Sequence, residues 1–173
     1  MKKFISFLVG GILIIPLLAH SSTLQQMYNS ASAGLGYDKM IELEGDSVYL
    51  GGLSITNQKV AIRGQGAIID LQGANISASG NSVIDLDGCV IINGNSALYA
   101  TESVTSRVTQ CTFYGNQIAI HFMALSGMIE IVNTILAHNS QYGFACDKAT
   151  VRVLHFIDSY ENLQGDFMEW CPG

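Results

Sequence analysis

The chain has 173 residues, 49% of them apolar and 13% charged, with 18 Gly, 2 Pro and a formal net charge of −6. Disordered segments are poor in apolar residues and nucleic-acid binders cluster positive charge, so this composition excludes both. The length is that of one domain.

Lys2 and Lys3 precede a mostly apolar run from Phe4 to Ala19. This is the charged and apolar pattern of a secretory signal peptide, expected over residues 1–21. Ala19-His20-Ser21 supplies small residues at the spacing a signal peptidase reads, which sets cleavage after Ser21, and no Cys follows directly that could take a lipid. An uncleaved anchor is the other reading, but the run is shorter than the roughly 20 residues a bilayer core requires. Cleavage removes Lys2 and Lys3, making the formal charge more negative by two, and leaves a chain expected to be secreted, periplasmic or at the cell surface, without a membrane segment.

Residues 22–40 are expected to form an N-terminal cap. Thr23 suits a helix N-cap, and Leu24, Met27 and Tyr28 behind it share one helical face that can cover an open sheet edge.

From residue 41 to 162 the chain repeats itself. Val83–Ile91, Thr105–Phe113, Met128–Leu136 and Thr150–Asp158 align at offsets of 22, 23 and 22 residues. In each copy apolar residues first alternate, as at Ile84 and Leu86 or Val151 and Val153, which is the period of a half-buried strand. The parity then flips at Gly88, Gln110, Asn133 or His155, so each copy reads as two strands meeting at a corner. Copies end near Asn95, Asn116, Asn139 and Asn162, where a left-handed backbone costs least for Asn or Gly. A shorter strand follows at Ala97–Ala100, Ala119–Phe122 and Gly143–Cys146. Ile41–Gly45 and Val60–Gly64 read as two earlier, more degenerate copies. The expectation is an all-β solenoid of about six rungs, each of three short strands, stacked at about 4.8 Å.

Residues 163–173 form a tail or cap with Phe167, Met168 and Trp170 as its apolar cover. Either it folds over the last rung, or the open C-terminal rung meets a partner or a second copy, or the chain continues as a longer protein. Cys89, Cys111, Cys146 and Cys171 all follow the expected cleavage site, without the CxxC spacing of a zinc ribbon. Cys89 and Cys111 fall in one inward column, as a disulfide between rungs or as two packed thiols. Cys146 and Cys171 are then the natural second pair, tying the tail to the last complete rung.

These copies, with the opening segment Ala33–Asp38, Ile41-Glu42-Leu43, Gly45, Tyr49, Gly51-Gly52-Leu53 and Ile55, resemble the right-handed parallel β-helix of the pectate-lyase-like superfamily over residues 33–162. The resemblance implies the fold. For function it implies only a range, because the same coil hosts lyases, hydrolases, epimerases, adhesins and phage tailspikes. A lyase of this kind needs carboxylates that hold calcium and a base placed to take the proton alpha to a uronate acid. Asp85 and Asp87 are the candidate calcium ligands, with Asp70 near them, and no further cofactor is expected. The paired acids and the His and Arg-x-Lys motifs of the polygalacturonase branch are missing.

One outward column reads Asp85, Arg107, Glu130, Arg152, alternating in sign as stacked charges must. It is a charge ladder or, read for function, Arg107 and Arg152 are a clamp for sugar carboxylates. Arg63 in the preceding rung stands beside Asp87. Tyr99 beside His121 offers a ring face to a sugar, while His155 reads as a corner residue and Asp147 with Lys148 as a turn ion pair. The expected function is therefore noncatalytic display of a surface to a polysaccharide, a cell-surface glycan or a protein. The alternative is a polysaccharide lyase or glycoside hydrolase, or a fragment of one.

Overall fold

The computed structural model describes residues 22–146, 151–169 and 171. The expected signal segment, Asp147, Lys148 and Trp170 lie outside them.

Thr23 caps the helix Leu24–Ser30 through a reciprocal pair: its Oγ1 accepts from the Gln26 N–H at 3.1 Å, and its own N–H donates to Gln26 Oε1 at 2.9 Å. Leu24 is buried, and Met27 and Tyr28 pack on the same core. Ser22 and Thr23 also run beside Leu50, where the Leu50 N–H donates to the Ser22 carbonyl. A hairpin of Ser32–Gly34 with Tyr37–Glu42 covers a second edge. Its turn places Leu35 and Gly36 at positive φ. The N-terminal layer is thus closed on two sides, as an exposed row of unpaired backbone groups requires.

Beyond this cap the chain winds as a coil of parallel strands with three faces. The first face stacks Tyr37–Glu42, Lys59–Arg63, Val83–Asp87 and Thr105–Thr109, followed by the leading halves of Met128–Ala137 and Val151–Tyr160. The second stacks Val48–Leu50, Ile68–Asp70, Val90–Ile92 and Thr112–Tyr114 under the trailing halves of the same two long strands. The third stacks Leu53–Thr56, Ile76–Ser79, Ser96–Thr101, Ile118–Met123, Tyr142–Cys146 and Gly165–Phe167. Each face therefore holds six strands, the number of rungs expected. The coil is longer at both ends than its expected bounds, because its first strand begins at Tyr37 and Gly165–Phe167 adds a last one within the tail.

Inward side chains stack into columns. Ile41, Ile62, Leu86, Val108, Ile131 and Leu154 make one that runs through five turns. Cys89 and Cys111 are both buried and both free, which settles the inward pair as packed thiols. Their mutual hydrogen bond and burial hold the Cys89 thiol above its ordinary range. The other two cysteines form the disulfide Cys146–Cys171, with Cα atoms 5.7 Å apart. With Phe167 packed edge-on against Phe144, this bond folds the tail over the last layer. By chain entropy it contributes about 3 kcal/mol.

Two expectations are corrected. The left-handed backbone expected near the ends of the copies does fall on an Asn and a Gly at Asn93 and Gly115, but on His138 and Glu161 in the next two turns, and Asn95, Asn116, Asn139 and Asn162 do not themselves adopt it. Asn116, Asn139 and Asn162 are instead buried, and their side chains form a ladder. Each side-chain oxygen accepts a backbone N–H one turn earlier: Gly94 to Asn116 at 2.7 Å, Asn116 to Asn139 at 3.0 Å, and Asn139 to Asn162 at 3.1 Å. The amide nitrogens donate to the carbonyls of Ile91, Phe113 and Leu136. Gly94 takes this place in the preceding turn, and Asn95 is an exposed neighbour of the series rather than a member.

The last copy also departs from its expected alignment. Register pairs Arg152 with Ile129 and Val153 with Glu130, one residue away from the expected alignment. The corner residue at positive φ is accordingly Phe156, stacked after Gly88, Gln110 and Asn133, and His155 pairs with Val132. The Asn139–Asn162 link, with its spacing of 23, sets this register, and a one-residue slip moves every side chain of the strand to the other face.

Asn139→Ala leaves the buried Asn116 N–H and Phe113 carbonyl of the preceding turn without their side-chain partner and breaks the side-chain link to Asn162, and should lower unfolding free energy by roughly 2–4 kcal/mol. Asn95→Ala should change it by less than about 0.5 kcal/mol. Urea unfolding of the two variants beside the parent checks both values.

Candidate functional site

Outward columns carry the chemistry, because inward ones are filled by the core. On the first face one column reads Ala61, Asp85, Arg107, Glu130, Val153, and beside it runs Glu42, Arg63, Asp87, Thr109, Val132, His155. Asp85 and Asp87 share a face because they stand two apart on one strand. Tyr37, Arg63, Asp85, Asp87, Arg107 and Thr109 line a shallow depression of about 140 Å³ in this surface, with Ala61 contributing to its wall.

Asp85 is the hub of the depression. Its Oδ2 accepts from the Tyr37 hydroxyl and its Oδ1 from the Arg107 backbone N–H at 3.2 Å. Thr109 Oγ1 donates to Asp87 Oδ1 at 2.9 Å. Both guanidinium groups are paired as well, Arg107 Nε with Glu130 at 3.2 Å and Arg63 Nη1 with Glu42 at 3.3 Å. These pairs are largely open to solvent and add little stability. Arg63 thus faces Asp87 in register but pairs on its other side. The hydrogen bond to Asp85 raises the Tyr37 pKa to about 12, helped by burial and by the Asp85 charge. At neutral pH this residue is a fixed phenol donor and not a base.

The six residues singled out in the sequence are dispersed. Arg107, Asp85 and Asp87 come together on the first face. Arg152 leaves the alternating column through the register slip and stands in line with Ile129, so the two-arginine clamp does not form. Asp70 lies on the second face, where it accepts from Asn93 Nδ2 and the Gln72 N–H. Among the described residues no three His, Cys, Asp or Glu side chains converge. With both Asp85 oxygens engaged and no third acid beside Asp87, this donor set does not fit a calcium site.

Tyr99 and His121 stack in register on the third face, their ring centroids 5.2 Å apart. The His121 Nδ1 and the Ser96 hydroxyl are 3.2 Å apart, and burial lowers the His121 pKa below its usual 6.5. Ser54 with Ser77 and Thr56 with Ser79 continue this face as hydroxyl pairs at 3.1 Å.

The second face was not singled out in the sequence. One of its outward columns reads Val48, Ile68, Val90, Thr112, Ile135, Asp158. The other contains Leu50, Asp70, Ile92, Tyr114, Ala137 and Tyr160. Its signal was the absence of alternation in Ile68-Ile69, Val90-Ile91-Ile92 and Ile135-Leu136, which makes both sides of a strand apolar.

Residues 36–160 match the family model described as the right handed beta helix region. No curated protein and no solved structure matches the chain.

Two titrations follow from these environments. Tyr37 should ionise near pH 12 in difference spectra of parent against Tyr37→Phe at 295 nm, and Asp85→Asn should return that transition toward 10. Because the folded pKa is raised, the stabilisation is complete below about pH 10 and is lost as pH rises toward 12. His121 has the opposite sign. Its depressed folded pKa means the unfolded chain binds more protons below pH 6.5, so stability falls as pH drops through that value. His121→Gln should shrink the difference in urea midpoint between about pH 7.5 and 5.5.

Proposed function

The chain belongs to the right-handed β-helix family, and from that premise we propose that it is a secreted, noncatalytic binding protein that holds neutral polysaccharide against its first face. One observation carries this reading: donors and acceptors alternate on the face while the charges of both arginines are already matched. Sugar hydroxyls both give and accept hydrogen bonds, so a ligand rich in them uses carboxylate, hydroxyl and guanidinium groups together. The layers repeat at about 4.8 Å, close to the length of one sugar ring, so successive rungs can meet successive sugars.

The charge balance argues for a neutral chain over a polyuronate. Glu42, Asp85, Asp87 and Glu130 outnumber Arg63 and Arg107, and the whole chain carries −6. An acidic ligand meets net repulsion at such a surface. The depression is also too small to enclose a ligand, since sites that bury a small molecule span about 300–1,000 Å³. Tyr37, whose one O–H is committed to Asp85, offers only its oxygen as an acceptor to a sugar hydroxyl and does not abstract a proton. The reading is of weak, repeated contacts, each near the millimolar range, that gain strength on a long polymer.

Calorimetric titration of residues 22–173 with cellohexaose, xylohexaose and trigalacturonate tests it. Binding of a neutral hexasaccharide is expected, weakened about tenfold by Asp85→Ala or Arg107→Ala. Preference for trigalacturonate would overturn the charge argument. Release of unsaturated uronates absorbing near 235 nm, abolished by Arg107→Ala, would replace binding with lyase chemistry.

A further inference from the structure

We propose that the second face is a docking surface for a second copy of this chain, the two copies packing sheet against sheet. Among the described residues, nine large apolar side chains are exposed; Val48, Tyr114, Ile135 and Tyr160 lie on this face, and Phe156 stands at its corner. No other face concentrates them so. The first presents ions and the third presents hydroxyl groups beside Tyr99 and His121. Contiguous exposed apolar surface of this kind marks an interaction site.

Three features choose the occupant. The strip is flat and periodic, and a second copy offers the same strip at the same spacing, so ridges of one can seat between ridges of the other at the distance of about 10 Å usual for packed sheets. A two-fold axis brings identical columns together without leaving an unmatched surface. Area points the same way. Six layers at about 4.8 Å and a width of about 20 Å, corners included, bury about 500 Å² per copy and about 1,000 Å² in all, the lower bound for a specific interface. The result is a dimer that forms at moderate concentration and not an obligate one.

Charge argues against a lipid surface. Asp70 and Asp158 are the charged members of the two outward columns, with Glu161 in the turn beyond Tyr160, and neither column contains a Lys or Arg to meet lipid phosphates.

Ile92 and Thr112 lie in the middle layers, where a buried lysine is least tolerated. Sedimentation velocity of residues 22–173 should show monomer near 1 μM and mostly dimer near 200 μM, for a dissociation constant of about 10–100 μM. Ile92→Lys, an outward substitution, should raise that constant at least about tenfold while leaving the far-ultraviolet spectrum unchanged. Ser77→Lys on the third face should leave it as it was. A parent that stays monomeric at about 200 μM overturns the proposal. So does a dimer indifferent to both Ile92→Lys and Ile135→Lys, which would place the contact elsewhere. Binding of the monomer to phosphatidylcholine vesicles, lost in Ile92→Lys, would give the face to lipid instead.

Discussion

Between the capping hairpin and the last layer, each described strand of the coil pairs with the strand one turn before and one turn after it, at a spacing of about 4.8 Å, and that repeat governs the rest. Each side chain has as its nearest neighbour the residue in the same place on the next turn. A residue type is therefore acceptable only if it tolerates what is stacked on it. Apolar columns satisfy the rule by dispersion and by exclusion of water, as from Ile41 to Leu154. Charges satisfy it by alternating, as from Asp85 through Arg107 to Glu130. Amides satisfy it with themselves, which is why Asn116, Asn139 and Asn162 can be buried without an orphaned polar atom.

The asparagine ladder shows how a local choice becomes a global one. A strand stacked on its neighbour by hydrogen bonds alone could shift by a residue at little cost in backbone pairing. The Asn162 side chain, fixed by the Asn139 N–H and the Leu136 carbonyl, permits only one register for Val151–Tyr160. That register places Leu154 and Ile157 against the core and holds Phe156 in the left-handed corner. A β-branched or bulky residue at positive φ is strained, so the ladder and the core together outweigh a local preference.

The same repeat explains what could be read from the sequence. Alternation at Ile84–Leu86, Ile129–Ile131 and the recurrence of corners at Gly88, Gln110 and Asn133 are local patterns, and they give the coil, its three strands per turn and the N-capping Thr23. The last copy misleads because Val151 and Val153 make the apolar alternation in the wrong parity, whereas the right one sets Arg152 and Leu154 in line with Ile129 and Ile131; only the partner strand decides between them. The backbone preference of asparagine points only to turns, whereas these side chains act across turns some 23 residues apart, a relation no local window contains. Of the site, Asp85, Asp87 and Arg107 were legible from column arithmetic, and Tyr37 was not. Its hydroxyl reaches Asp85 across 48 residues from the first strand of the coil, which begins before the repeat expected from residue 41.

Because inward columns alone build the core, outward ones are free to differ from face to face, and here they do. Ions occupy the first face, hydroxyl groups and a tyrosine–histidine pair the third, and β-branched residues the second. Ions and hydroxyls on an outer face are readily accounted for by water. The second face is different, since Val48, Val90, Ile92 and Ile135 bury nothing on the coil's own core and keep apolar surface in solvent. Stacking explains how such a column can be built, since β-branched side chains pack well along a ladder, but not why it should face outward. A polar column of Thr and Ser stacks as well, as the Ser54–Ser77 and Thr56–Ser79 pairs of the third face show, and leaves no apolar surface in water. What the second face gains from its apolar residues has to come from outside the single coil.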